Sequence, residues 1–307
     1  MARGIRIGTR GSRLALAQTN MVIAGLKEVC PGLECSVRVI ETGGDRVSRW
    51  SEVRDETGIF VREIEDALFK EEIDMAVHSI KDMPAEQPRG LVLASVLQRE
   101  DPRDVLISRD GAILHDLPAG AVIGTSSIRR KAQLLRERSD IEVTELRGNI
   151  DTRINKLRNG SMAGTVMAAA GLIRIGLKDL ITEYLPLEWM PPAPCQGAIG
   201  IEVREEDAAS RDAALSLNDR ASCFCIEAER SFMKHVGAGC RVPVSALATV
   251  LSGRLHMGCT LTDVDGRRSV KVYGNAPLDR GDALGEHLAQ NLLKSGGREL
   301  MAVMSHI

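Results

Sequence analysis

Two short runs hold side chains of the kind that do chemistry. Cys240 stands in Val236-Gly237-Ala238-Gly239-Cys240-Arg241-Val242-Pro243-Val244, where a helical pattern ending near His235 gives way to a strand. A neighbouring guanidinium favours the thiolate, the reactive form, and glycines clear space around the sulfur. On local features alone, a buried cysteine at a tight turn is the more ordinary reading. The second run is Asp74-Met75-Ala76-Val77-His78-Ser79-Ile80-Lys81-Asp82-Met83-Pro84. A short apolar strand ends there in His78, Ser79, Lys81 and Asp82, and Pro84 stops any continuation. Ligands of α/β sheets collect at the carboxyl ends of strands. Lys81 and Asp82 read either as a surface pair of little value or as a catalytic carboxylate kept ionised by its cation.

Arginine recurs where strands run into helices. Arg10 and Arg13 flank Ser12, the N-cap expected for a helix over 14–29. Arg129 and Arg130 follow Thr125-Ser126-Ser127; Arg147 precedes Gly148-Asn149, with Arg153 in the next helical turn; Arg174 follows Ala170. Helix starts offer free N–H groups to anions, and guanidinium forks match carboxylate or phosphate. One such turn is explained by solvated side chains, but seven arginines at corresponding places point to a polyanion site. No phosphate-loop or dinucleotide fingerprint accompanies them, so nucleotide phosphate is disfavoured.

The elements that must position these groups follow from pattern. Strands are expected over 4–9, 34–41, 91–97, 105–108, 121–124, 141–145, 164–168 and 198–203, with helices over 60–70 and 128–138. Residues 42–57 lack a clean period and read as a long functional loop. The charged junction at 99–104 and the Pro-rich 191–197 mark two crossovers between lobes, with a ligand cleft expected between them. A helix over 219–234, strands near 244–250, 254–260 and 269–274, and a helix over 282–294 predict a small α+β domain. The expected domains are 1–98 plus 196–216, 103–190, and 219–307.

Composition excludes several classes. Forty basic and forty-two acidic residues give a net charge of -2, which denies the chain a global field for nucleic acid. Seven cysteines, an odd number, fit a reducing compartment. Cys223 and Cys225 point apart on a helix and no His completes a zinc set, so no metal is expected. With no signal peptide and no membrane-length apolar run, the cytoplasm is the expected location.

Taken together, in order and spacing, these motifs resemble the porphobilinogen deaminase (hydroxymethylbilane synthase) family over nearly the whole chain. The matching runs are 7–16, 74–84, Arg99-Glu100-Asp101-Pro102-Arg103-Asp104, 124–130, Leu146-Arg147-Gly148-Asn149, Ala170-Gly171-Leu172, Gln196-Gly197-Ala198 and Gly239-Cys240-Arg241-Val242-Pro243. The resemblance implies an α/β fold. Two lobes similar to type II periplasmic binding proteins would carry mixed five-stranded sheets, followed by a small α+β domain with a three-stranded antiparallel sheet. It implies a dipyrromethane cofactor on Cys240 through a thioether. It also implies stepwise condensation of four porphobilinogen molecules with loss of ammonia, then hydrolytic release of hydroxymethylbilane. A monomer is implied, with neither nucleic acid nor membrane as partner.

Each pyrrole brings an acetate and a propionate, so a growing chain needs an arginine-lined site. Deamination leaves an electron-poor azafulvene, which becomes cationic on protonation. By the resemblance, Asp82 and Lys81 are catalytic, Asp82 facing pyrrole N–H groups and developing positive charge. Lys81, Arg10, Ser12, Arg13, Arg129, Arg130, Arg147, Arg153 and Arg174 would hold carboxylates. Thr125, Ser126, Ser127, Gly148, Asn149 and Ala170 belong to the same turns; Phe60 would pack over the cofactor, and Gln196 and Gly197 would line the cleft. The chain departs from the family at Asp55-Glu56-Thr57-Gly58, where a Gly-Gly-Lys-Gly run is usual, at Gly43 in place of a basic residue, and at Ala238 and Arg241. Two rival readings are a non-catalytic two-lobe receptor for small anions and another cysteine-nucleophile transferase. The first gives Cys240 and Asp82 no role, and the second lacks a base in any motif near the thiol.

Overall fold

The computed structural model describes residues 4–43, 61–237 and 242–304. The alternating residues at the start of the chain form β1 (Ile5–Thr9). Ser12 then opens α1 (Arg13–Val29), its hydroxyl accepting the Ala15 N–H at 3.2 Å. Next come β2 (Cys35–Val39), α2 (Arg62–Phe69), β3 (Met75–Ser79) and β4 (Leu91–Val96). The pattern restarts with β5 (Asp104–Ser108), β6 (Val122–Gly124), α3 (Ile128–Glu137), β7 (Glu142–Thr144), α4 (Ile150–Asn159), β8 (Gly164–Ala168), α5 (Ala169–Arg174) and β9 (Glu183–Tyr184). Then β10 (Ile199–Arg204), α6 (Ala208–Leu215), α7 (Arg220–Val236), β11 (Val244–Leu251), β12 (Arg254–Thr262), β13 (Ser269–Pro277), α8 (Gly281–Leu292) and α9 (Arg298–Met304) complete it.

The first sheet has the order β2-β1-β3-β10-β4. β1 runs parallel to β2 and β3, whereas β10 is antiparallel to β3 and β4. Alternation sorts the buried strand β10 into two faces. Ile199, Ile201 and Val203 pack with Val22 and Leu26 of α1. Glu202 pairs with Ala76 and Gly200 with His78, on the face where Ala76 packs with Ile64, Ala67 and Leu68 of α2.

The second sheet repeats this plan as β7-β6-β8-β5-β9, with β5 antiparallel to β8 and β9. A third, β11-β12-β13, is wholly antiparallel. Phe232 of α7 and Leu284, Leu288 and Leu292 of α8 bury its apolar side with Leu255, Met257 and Leu261. Two mixed five-stranded sheets and a separate three-stranded antiparallel sheet are thus the α/β architecture expected from the sequence. The chain forms two compact units, Met1–Arg99 with Ala198–Cys223, and Glu100–Gly197 with Phe224–Ile307. The second holds both the second and third sheets. The strand expected to return to the first sheet does so as β10. Expectations that fall on 44–60 and on Ala238, Cys240 and Arg241 lie outside the described residues.

Candidate active site

In the first unit, β3 delivers its polar cargo at its carboxyl end. A single 3-10 turn, Ile80–Asp82, closed by Met83 N–H to Ile80 O at 3.0 Å, turns Lys81 and Asp82 outward while Ile80 stays buried. Asp82 is exposed and has no hydrogen-bond or ion-pair partner among the described residues, Lys81 included. It borders a small pocket of about 60 Å³ that Arg10, Ser12, Gln18, His78 and Ser79 also line. Arg10 is half-buried there and Arg13, the first residue of α1, is exposed. The Gln18 amide Nε2 donates to Ser79 Oγ at 2.9 Å, fixing the strand end against α1. Arg10, Ser12 and Asp82 thus come from separate motifs to one pocket, and Gln18, which no motif singles out, joins them from α1. Phe60 lies outside the described residues.

In the second unit the expected turns also converge, held by their own backbone chemistry. Ser127 caps α3, accepting the Arg130 N–H at 3.4 Å, and Thr125 Oγ1 accepts the Ser127 N–H at 3.2 Å. Ser126 Oγ donates to Leu146 O at 2.7 Å, joining this turn to the next. There Gly148 has φ 115°, and a Cβ would lie 2.6 Å from Thr152, so only glycine fits without movement. Asn149 caps α4 through the Thr152 N–H at 2.9 Å. Arg153 Nε donates to Gly148 O at 2.7 Å, and Arg147 pairs with exposed Glu145. Ala170 is buried in α5.

Arg129 and Arg130, expected on ligand carboxylates, stand in the first turn of α3. Both are buried and both grip Asp104, the first residue of β5. Arg129 Nη2 meets Oδ2 at 2.7 Å; Arg130 Nε and Nη2 meet Oδ1 at 3.0 and 2.7 Å. Gln196 Nε2 adds a bond to Oδ1 at 2.9 Å and one to Pro102 O at 2.8 Å. Burial alone would raise the Asp104 pKa. The two guanidiniums, with the hydrogen bonds from Arg130 and Gln196, outweigh it and hold the group at about 2. Two buried cations require such an anion. In sequence Asp104 shows only as part of a charged junction, because the 25 residues to Arg129 hide the pairing.

Arg174 is the last residue of α5. Its Nη2 donates to Gly197 O at 2.6 Å, and burial pulls its pKa down to about 10. Its buried Nε has no acceptor among the described residues. Gly197 needs its glycine: φ is 89°, and a Cβ would stand 2.5 Å from Glu100 O.

Among solved structures, the chain is similar to a Salmonella typhimurium periplasmic binding protein of high arginine specificity. Identity is 16% over 72% of this chain and 94% of that chain, at TM-score 0.40. Residues 5–212 match the family model of the porphobilinogen deaminase dipyrromethane cofactor binding domain, and residues 223–294 match the porphobilinogen deaminase C-terminal domain. A porphobilinogen deaminase of Thermus thermophilus is 47% identical over 301 residues, covering 98% of this chain and 99% of its own. One of Alkaliphilus metalliredigens is 42% identical over 304 residues, covering 99% and 96%. On the strength of both domain matches and these full-length relatives, this chain belongs to the porphobilinogen deaminase family.

Proposed function

We propose that the chain condenses porphobilinogen units head to tail, with Asp82 as its catalytic carboxylate and Cys240 as the thioether anchor of the dipyrromethane. The observation that carries this is the position of Asp82. It stands exposed at the end of β3, bordering a pocket with Arg10 and Ser12, and uncommitted to any described side chain.

The residues present suit the cofactor. Acetate and propionate groups on each ring call for cations, and Arg174 keeps a buried Nε without an acceptor. When bound, the dipyrromethane supplies the nucleophilic pyrrole end that is extended. Arg10, Ser12 and Arg13 in the first unit, and Arg147, Arg153 and Arg174 in the second, would hold carboxylates, with Lys81 as a further cation. Thr125, Ser126, Ser127, Gly148 and Asn149 set the turns that carry them. Arg129 and Arg130 serve as a fixed platform through Asp104, keeping α3 and the Gln196-Gly197 segment in place.

Asp82 accepts hydrogen bonds from the pyrrole N–H of the substrate. As the C–N bond breaks, with its electron pair leaving on ammonia, the ring becomes positive and the Asp82 carboxylate stabilises it. The same carboxylate is placed to take the ring proton displaced when the new C–C bond forms. The proposal includes a cytoplasmic monomer; among the described residues no helix is long and apolar enough to cross a membrane.

Intact-protein mass spectrometry tests the reading. The wild-type chain should carry the mass of two linked pyrrole units, and Cys240→Ser should lack it. An active wild-type chain of unmodified mass overturns the proposal.

A further inference from the structure

Behind the pocket, on the α2 face of the first sheet, lie three titratable side chains with no part in the reaction described so far. His78 of β3 and Glu202 of β10 meet at 3.1 Å between Nε2 and Oε2, with side-chain exposures of 4% and 0%. Glu65 of α2 is also buried. Glu65 Oε1 and Glu202 Oε1 are buried and have no hydrogen-bond donor among the described residues. Two carboxylates with an idle oxygen each, beside one imidazole, are poorly compensated if both are charged.

We infer that Glu65, Glu202 and His78 form one buried cluster in which Glu65 is the neutral acid, and that His78, held by Glu202, is a positioning residue in the wall of the pocket bordered by Asp82. A proton on Glu65 supplies the missing donor and removes one of two neighbouring negative charges. Consistent with this, burial first and the Glu202 charge second push the Glu65 carboxyl up to about 7. His78 reaches the reaction side because it lines the same pocket as Asp82 and Arg10, as does Ile64, next to Glu65. Among the described residues, the charged groups around the cluster are Glu202 from β10, Arg62 and Asp66 from α2, and Arg10 and Asp82 at the pocket. On β4, Ser95 adds a buried, uncharged hydroxyl. Condensation builds positive charge on the substrate ring and releases a ring proton, and the charge on this wall bears on both. The inference rests on the assignment of Asp82 made above.

The test is an NMR pH titration of imidazole-labelled whole protein, with His78→Gln assigning the resonance, from about pH 5 to about pH 9. The His78 signal should step as pH passes through about 7, where Glu65 ionises, and Glu65→Gln should remove that step. Any inflection of the kcat profile at that pH should vanish with it. A His78 signal that is flat, or whose step survives Glu65→Gln, overturns the inference. Should Glu65→Gln fail to fold, infrared spectroscopy of the wild type decides. A buried carboxylic-acid carbonyl band should vanish as pH rises through about 7, and its absence below that pH overturns the inference. The two spectroscopic readouts do not use turnover, so a modified Cys240 beside a pH-silent His78 would refute this cluster and leave the proposed function standing.

Discussion

Arg130 Nη2 and Asp104 Oδ1 lie 2.7 Å apart, with side-chain exposures of 7% and 0%. Arg129 completes the clamp from the other carboxylate oxygen. Asp104→Asn would leave two buried guanidiniums facing a neutral amide. Breaking a buried pair from one side costs about 3–5 kcal/mol, and the urea midpoint should drop accordingly with the slope unchanged. The pH dependence has a definite sign. The folded-state pKa of Asp104 is depressed to about 2 from the ordinary 3.8. Its contribution is therefore complete above pH about 4 and is lost as pH falls through 2. Wild type should show this acid-limb loss, and Asp104→Asn should not.

Asp82 sits at the opposite extreme, exposed on a 3-10 turn and without a partner among the described residues. Asp82→Asn should leave thermal stability within about 0.5 kcal/mol, as surface changes do. Turnover should fall about 10²-fold or more. Steady-state kinetics beside a melting curve checks both halves, and a near-normal kcat would remove Asp82 from the mechanism.

The backbone of the crossover makes a separate prediction. Gly197→Ala would force a side chain into φ 89° and put a Cβ 2.5 Å from Glu100 O. That conflict is with main chain, which cannot step aside as a side chain would. A loss of more than about 1 kcal/mol is expected. The Gln196 bonds to Asp104 and Pro102 should weaken with it, so activity should fall together with stability. Chemical denaturation and kinetics on the same preparation read the two effects.

How far the site was legible depended on the range over which each cause acts. The caps at Ser12, Ser127 and Asn149 act within three residues, and sequence pattern located the helices they open. The carboxyl end of β3 was readable because Pro84 stops the chain two residues after Asp82. Asp104 was not readable as the partner of Arg129 and Arg130, because only the β5–β8 pairing and the packing of α3 bring those residues together. His78 stood in view as a motif residue. Its partner Glu202 lies 124 residues on, in a strand whose return to the first sheet was expected but whose register was not. Short elements escaped for a simpler reason: β9 has only two residues and α6 only two turns, too few to show a period.

Glu65 gives the last prediction, on stability. Its folded-state pKa is raised to about 7 from the ordinary 4.5, first by burial and then by the Glu202 charge. The folded protein thus holds this proton more tightly than the unfolded chain does. Stability from the protonated acid is full below pH about 4.5, declines as pH rises, and is gone above about 7. Glu65→Gln keeps the shape of the neutral acid and cannot ionise, so it should lack that decline. Its melting temperature relative to wild type should therefore rise between pH 5 and pH 8, by a few degrees for a chain of this size. Paired melting curves at both pH values measure the gap, and a gap that stays constant would mean Glu65 does not titrate in this window. Asp104 moves stability in the opposite sense, lost on acidification below pH 4. Wild-type stability should accordingly peak between the two windows, near pH 4–5, as far as these two groups decide it.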